Sequence, residues 1–218
     1  MSDTAALPQL PVGLHEQGIE FDGALLRYTV SIPESPALAP LLVSLHYAGT
    51  VTPFYGRPLV EKLFAPALAE LNPLVIAPDA RDGDWTTPGN MRAVLWLTRS
   101  ALASYPVDPK RALLAGFSMG ARGTWHIAPR HPDLFTAAIA IAGRPSDAPD
   151  WPMPALIIHS HDDEVVPLGP TQQRVQEQQA RGAPVELRIV TGITHYGTAL
   201  YALPLRESLP WLKRVWKM

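Results

Sequence analysis

Six short apolar runs, at residues 41–45, 74–77, 112–115, 137–141, 155–158 and 185–190, constrain the fold more than any other feature of the chain. Most lack polar alternation, which suits strands covered on both faces. The stretches 59–71, 91–105, 119–128, 172–180 and 199–216 repeat their apolar residues at helical spacing and fall between or after these runs. Alternating strand and helix imply right-handed crossovers, and so a mostly parallel sheet with helices on both faces. In such a sheet catalytic groups gather at the carboxyl ends of the strands. Ahead of this pattern, residues 18–21 and 25–32 flank Asp22-Gly23, a pair that favours the positive φ angles of a tight turn. An antiparallel N-terminal hairpin therefore brings the expected sheet to about eight strands. No repeat or linker divides the chain, so residues 14–218 are expected to form one domain, preceded by a loosely held arm over residues 1–13.

Composition narrows the function classes. With 218 residues and 47% apolar side chains the chain can build a sizeable core. Eighteen Lys plus Arg against 20 Asp plus Glu leave a formal charge of −2, without the basic excess that a phosphate backbone demands. Nucleic acid is not an expected partner. No apolar run approaches the ~20 residues of a membrane span, and the first 13 residues lack a cationic start and an apolar signal core. The expectation is a soluble, cytoplasmic protein with no membrane partner. The absence of cysteine excludes disulfides, thiolate metal ligands and thiol nucleophiles. The 24 prolines are scattered among the apolar runs and punctuate loops.

The strongest local motif is Gly116-Phe117-Ser118-Met119-Gly120, between an apolar run and a helical stretch. A strand-to-helix turn this sharp strains its central residue, and small neighbours let the helix and adjacent strand approach. Ser118 Oγ is thereby exposed at the top of the sheet. A serine hydroxyl needs a base, and the base needs an acid that fixes its tautomer. Two later loops supply them: His159-Ser160-His161-Asp162-Asp163-Glu164-Val165-Val166-Pro167 and Gly192-Ile193-Thr194-His195-Tyr196-Gly197. Each follows an apolar run, in the chain order Ser, acid, His.

On these residues the chain resembles the α/β-hydrolase superfamily from about residue 40 onward. The similarity is to its uncapped phospholipase/carboxylesterase and dienelactone-hydrolase-like branch. In that family an H-G-x-x-D-x-V-V-P segment carries the acid, and alignment on residues 163–167 selects Asp163 over Asp162 and Glu164; Ser160 replaces the family glycine. His195 matches the family histidine. Dienelactone hydrolases use a cysteine nucleophile, and this chain has none. The family H-G-x-G turn reads His46-Tyr47-Ala48-Gly49, with Tyr47 where glycine is usual. The resemblance implies an oxyanion hole from the Ala48 and Met119 amides, with His46 orienting the loop or packing as a buried histidine.

Other residues carry less. His159, His161 and Asp163 fit H-x-H-x-D, the start of a metal-ligand set, but Glu164 stands where that motif continues with histidine; loop packing is preferred for both histidines. Asp79, Asp82 and Asp84 precede Ser118, the wrong order for the acid, and read as solvated or capping. Tyr47, Trp85 and Tyr196 lie near the active edge and are candidates to line an acyl or alcohol pocket, with core or rim packing as an equal alternative. His126 and His131 read as packing residues, and Pro129 ends the helix after the elbow. The resulting expectation is a serine carboxylesterase of small-molecule esters, with Ser118, His195 and Asp163 as triad, no metal and no cofactor. A serine peptidase, amidase or thioesterase fits the same residues, and a silent hydrolase-fold binding module is the non-enzymatic alternative. The oligomeric state is open.

Overall fold

The computed structural model describes residues 4–34 and 38–218. The chain opens with β1 (Gly13–Phe21) and β2 (Ala24–Ile32), joined by Asp22 and Gly23 at φ 56° and 73°. Two successive positive φ angles match the right-handed twist of the flanking strands, which is why this dipeptide closes the hairpin. Then follow β3 (Ala39–Leu45), β4 (Leu74–Pro78), β5 (Val107–Phe117), β6 (Ala137–Ile141), β7 (Ala155–Ser160) and β8 (Val185–Val190).

The eight strands lie in the order β1-β2-β4-β3-β5-β6-β7-β8. β2 is antiparallel to β4, and β4, β3, β5, β6, β7 and β8 run parallel. After β3 the chain crosses to β4 on one side, then returns to β5 on the other. This reversal opens a crevice at the carboxyl ends of β3 and β5. Strand alternation feeds two cores: Ala112 and Leu114 face one layer with Trp125 and Trp151, whereas Leu113, Ala115 and Phe117 face the other with Phe64 and Tyr201.

The helical stretches are more broken than their periodicity predicts. Residues 57–71 comprise α1 (Arg57–Leu59), a π turn (Val60–Phe64), α2 (Ala65–Leu68) and a 3-10 turn (Ala69–Leu71). Pro66 has no N–H to donate to the carbonyl four residues back, so the ladder loosens there. α3 (Pro88–Ser104) begins earlier than its apolar spacing indicates, because Pro88 suits a first helical position and the Thr87 hydroxyl accepts from Asn90 N. α4 (Met119–Ile127) follows Ser118 and gives way at Ala128–Arg130 to a 3-10 turn containing Pro129. α5 (Leu168–Ala180) joins β7 to β8. The last stretch is a 3-10 turn (Thr198–Tyr201), α6 (Ala202–Arg206) and α7 (Leu209–Trp216), interrupted ahead of Pro210.

Residues 1–3 of the expected arm lie outside the described residues. The rest of it is held more firmly than expected: Ser100 and Ser104 hydroxyls on α3 accept from Ala5 N and Leu7 N at 2.9 Å, and Leu7 is buried. Among the described residues no helix is long and apolar enough to cross a membrane.

Candidate active site

Ser118 sits between β5 and α4 at φ 56°, ψ −114°, a strained conformation for a residue with a side chain. Two glycines permit it. A Cβ on Gly120 would lie 1.9 Å from the Leu45 carbonyl oxygen, and one on Gly116 would lie 2.2 Å from the Gly120 carbonyl oxygen. The elbow is pinned by Ser118 N donating to Ile141 O at 2.9 Å. Met119 is the first residue of α4, where the N–H has no acceptor within the helix.

The structure brings Ser118, His195 and Asp163 into one line. Ser118 Oγ is 2.9 Å from His195 Nε2, and His195 Nδ1 is 2.9 Å from Asp163 Oδ2. A carboxylate only accepts, so Nδ1 carries the ring proton and Nε2 keeps the lone pair that faces the serine hydroxyl. Asp163 is buried, and its Oδ1 accepts from Val165 N and Val166 N at 3.0 and 2.7 Å. Both oxygens are thus engaged by protein N–H groups, which fixes the carboxylate.

The neighbouring acids hold the same histidine loop by its backbone. Asp162 Oδ2 accepts from Gly192 N at 2.6 Å, and Glu164 Oε2 accepts from His195 N at 2.9 Å. Sequence reasoning ranked these two acids only as rivals for Asp163. Their one visible signal was adjacency to it, because their partners lie about 30 positions away. His159 is fully buried, with Nε2 donating to Val166 O at 2.8 Å, and burial lowers its pKa. His161 is exposed, so the two imidazoles do not converge. Among the described residues no group of three or more His, Cys, Asp or Glu is placed to hold a metal ion.

The loop after β3 is clamped by His46. Ala80 N can only donate, so it bonds the lone pair of His46 Nε2 at 3.0 Å; Nδ1 then carries the proton and donates to Tyr47 O at 2.7 Å. Burial drives the His46 pKa down to about 4, keeping this neutral tautomer. His46 therefore shapes the loop that presents Ala48.

A cleft of about 420 Å³ opens over Ser118, lined by Tyr47, Ala48, Phe117, Val165, His195, Tyr196 and Thr198. Tyr47 and Tyr196 occupy the wall. Trp85 does not. It is 1% exposed, its Nε1 donates to His46 O at 2.8 Å, and it packs where Gly123 lacks a Cβ, so it supports the loop from beneath. Of the two readings of Asp79, solvated or capping, the structure overturns the first: it is buried, accepts from Phe54 N at 2.7 Å just ahead of α1, and burial raises its pKa. Asp82 accepts from the Thr87 hydroxyl, and Asp84 accepts from Thr86 N and pairs with Arg122.

No curated protein matches the chain by sequence. Among solved structures, the chain is similar to a thermostable esterase at 22% identity and TM-score 0.73, covering 92% of this chain and 62% of that one. The chain thus spans less than two thirds of that esterase. An α/β serine hydrolase without lid from Xanthomonas campestris matches at 20% identity and TM-score 0.72, over 96% and 98% of the two chains. A putative dienelactone hydrolase from Klebsiella pneumoniae matches at 16% identity and TM-score 0.72, over 94% and 98%. These likenesses establish the α/β-hydrolase fold. A family model matches residues 83–199, which include the elbow, the acid loop and the histidine, and the chain belongs to the dienelactone hydrolase family.

Proposed function

We propose that the protein is a serine carboxylesterase of small, soluble acyl esters, in the phospholipase/carboxylesterase-like part of its superfamily. The observation that carries this reading is the continuous line Ser118 Oγ, His195, Asp163, with both links at 2.9 Å.

The chemistry follows from the tautomer. Ser118 Oγ attacks the ester carbonyl carbon as its proton passes to His195 Nε2, and the imidazolium is stabilised by Asp163. The carbonyl oxygen becomes an oxyanion that accepts from the Ala48 and Met119 amides. The tetrahedral adduct collapses as Nε2–H protonates the leaving alkoxide, releasing the alcohol and leaving an acyl-serine. Water, deprotonated by Nε2, attacks that acyl group, and as the bond from the acyl carbon to Oγ breaks Nε2–H returns its proton to Ser118 Oγ and the carboxylic acid leaves. Each proton has a holder among these side chains.

Access to the site is direct. The connection from β6 to β7 over residues 143–153 contains no helix or strand, and eleven residues cannot make a cap. That connection offers no amphipathic segment to couple turnover to a lipid surface. The test combines fluorophosphonate labelling, read by mass spectrometry at Ser118, with initial rates on esters of increasing acyl length across their solubility limits. Stoichiometric labelling and full activity below the limit are expected. Absence of label at Ser118, or a sharp rate rise at the interface with long-chain preference, would overturn the reading.

A further inference from the structure

One side of the cleft is set by His195, the acid loop and the residues that follow the histidine. For His195 Nε2 to protonate the leaving oxygen, that oxygen must come within hydrogen-bond reach, roughly 2.6–3.2 Å. The group carried on it then leaves the reaction centre past the cleft residues of the acid and histidine loops, which are Val165, Tyr196 and Thr198. Tyr196 stands edge to face with the His195 ring, centroids 5.8 Å apart at 90°. It is nevertheless 79% exposed, the highest value among the exposed large apolar side chains of the described residues, and Val165 is exposed beside the same cleft. Nothing in the packing of the fold requires a ring to stand out into water immediately after the histidine.

Charge constrains what this ring meets. No Lys or Arg side chain lines the cleft. The acid loop sets Asp162, Asp163 and Glu164 against the histidine loop through hydrogen bonds, which leaves no cation of that loop in the cleft lining. An anionic alcohol would find no Lys or Arg counter-charge among the described cleft residues.

We infer that Tyr196 is a specificity-determining residue, its exposed ring stacking on an uncharged, ring-bearing alcohol portion of the substrate. The inference rests on the esterase reading and refines its substrate class. A favourable ring pair of this kind corresponds to roughly threefold to tenfold in binding.

The test uses three acetates, benzyl, ethyl and 4-carboxybenzyl, so that every reaction passes through the same acetyl-serine. Any effect of the alcohol then appears in kcat/KM, because water later attacks an intermediate that has lost it. In the wild type, benzyl acetate should exceed 4-carboxybenzyl acetate in kcat/KM by about tenfold. The benzyl-to-ethyl ratio should fall about fivefold in Tyr196→Ala and be retained in Tyr196→Phe. An unchanged ratio in Tyr196→Ala, or equal turnover of neutral and anionic benzyl esters, would overturn the inference while leaving the esterase reading intact. Failure of the wild type to hydrolyse any of the three would overturn both.

Discussion

Glu164 accepts the backbone N–H of His195 through Oε2 at 2.9 Å, while its neighbour Asp163 holds the same residue by its ring. One histidine is thus positioned twice, by consecutive carboxylates. Glu164→Ala leaves that N–H without its acceptor, and small displacements of a catalytic base are costly. Its kcat should fall about tenfold with KM little changed, whereas Glu164→Gln, which retains an acceptor, should recover most of the loss. Steady-state kinetics of both variants decide the matter; a change confined to KM would show that Glu164 does not act through His195.

The two adjacent aspartates should respond very differently. Asp163→Asn presents an amide to His195 Nδ1 and favours the wrong tautomer, so kcat should drop about 10³- to 10⁴-fold. Asp162→Asn keeps an oxygen that can accept from Gly192 N and should stay within a few-fold of wild type. Parallel kcat measurements on a simple acetate ester check the ranking, and the reverse order would place the acid elsewhere.

Ser118→Ala should lower ester turnover by at least about 10³-fold, since members of a triad act as a unit. Stability should change little, because Ser118 makes its elbow bonds through backbone atoms. Thermal unfolding by circular dichroism, alongside residual activity, separates loss of the nucleophile from loss of the fold.

His46 predicts an acid sensitivity. Its folded pKa of about 4 lies below the ordinary 6.5, so on acidification the unfolded chain takes up a proton first. The stabilisation is complete above pH 6.5 and is lost progressively down to pH 4. Between pH 7 and 4.5 this residue should account for about 2–3 kcal/mol of lost stability. Urea unfolding of wild type and His46→Gln at both pH values tests this, since only the difference between the two pH values matters, and equal losses would remove His46 as the source.

Much of the candidate site was legible because its chemistry is local. Asp22-Gly23 closes the hairpin by its own φ preference, and Gly116 and Gly120 announce an elbow because no other residue leaves room for the backbones that cross there. The order of Ser118, Asp163 and His195, each after an apolar run, was likewise readable one segment at a time. The breaks at residues 57–71 were less legible, since periodicity registers which face is apolar but not whether each carbonyl finds its donor.

What only the tertiary structure decided was which distant groups meet. Trp85 reads from its loop as a wall of the cleft, yet Gly123, 38 positions on, leaves the space that draws the indole beneath His46. Asp79 reads as solvated or capping until Phe54 N is brought to it and decides between the two, and Asp162 and Glu164 have no visible task until β7 and β8 pair and set the histidine loop beside them. The sequence by itself determined the strand-helix order, the hairpin turn and the elbow, because backbone stereochemistry and hydrophobic period act over a few residues. The burial of Trp85 and Asp79 and the double hold on His195 arose only on packing, where the partner of each polar group is chosen by which strands become neighbours.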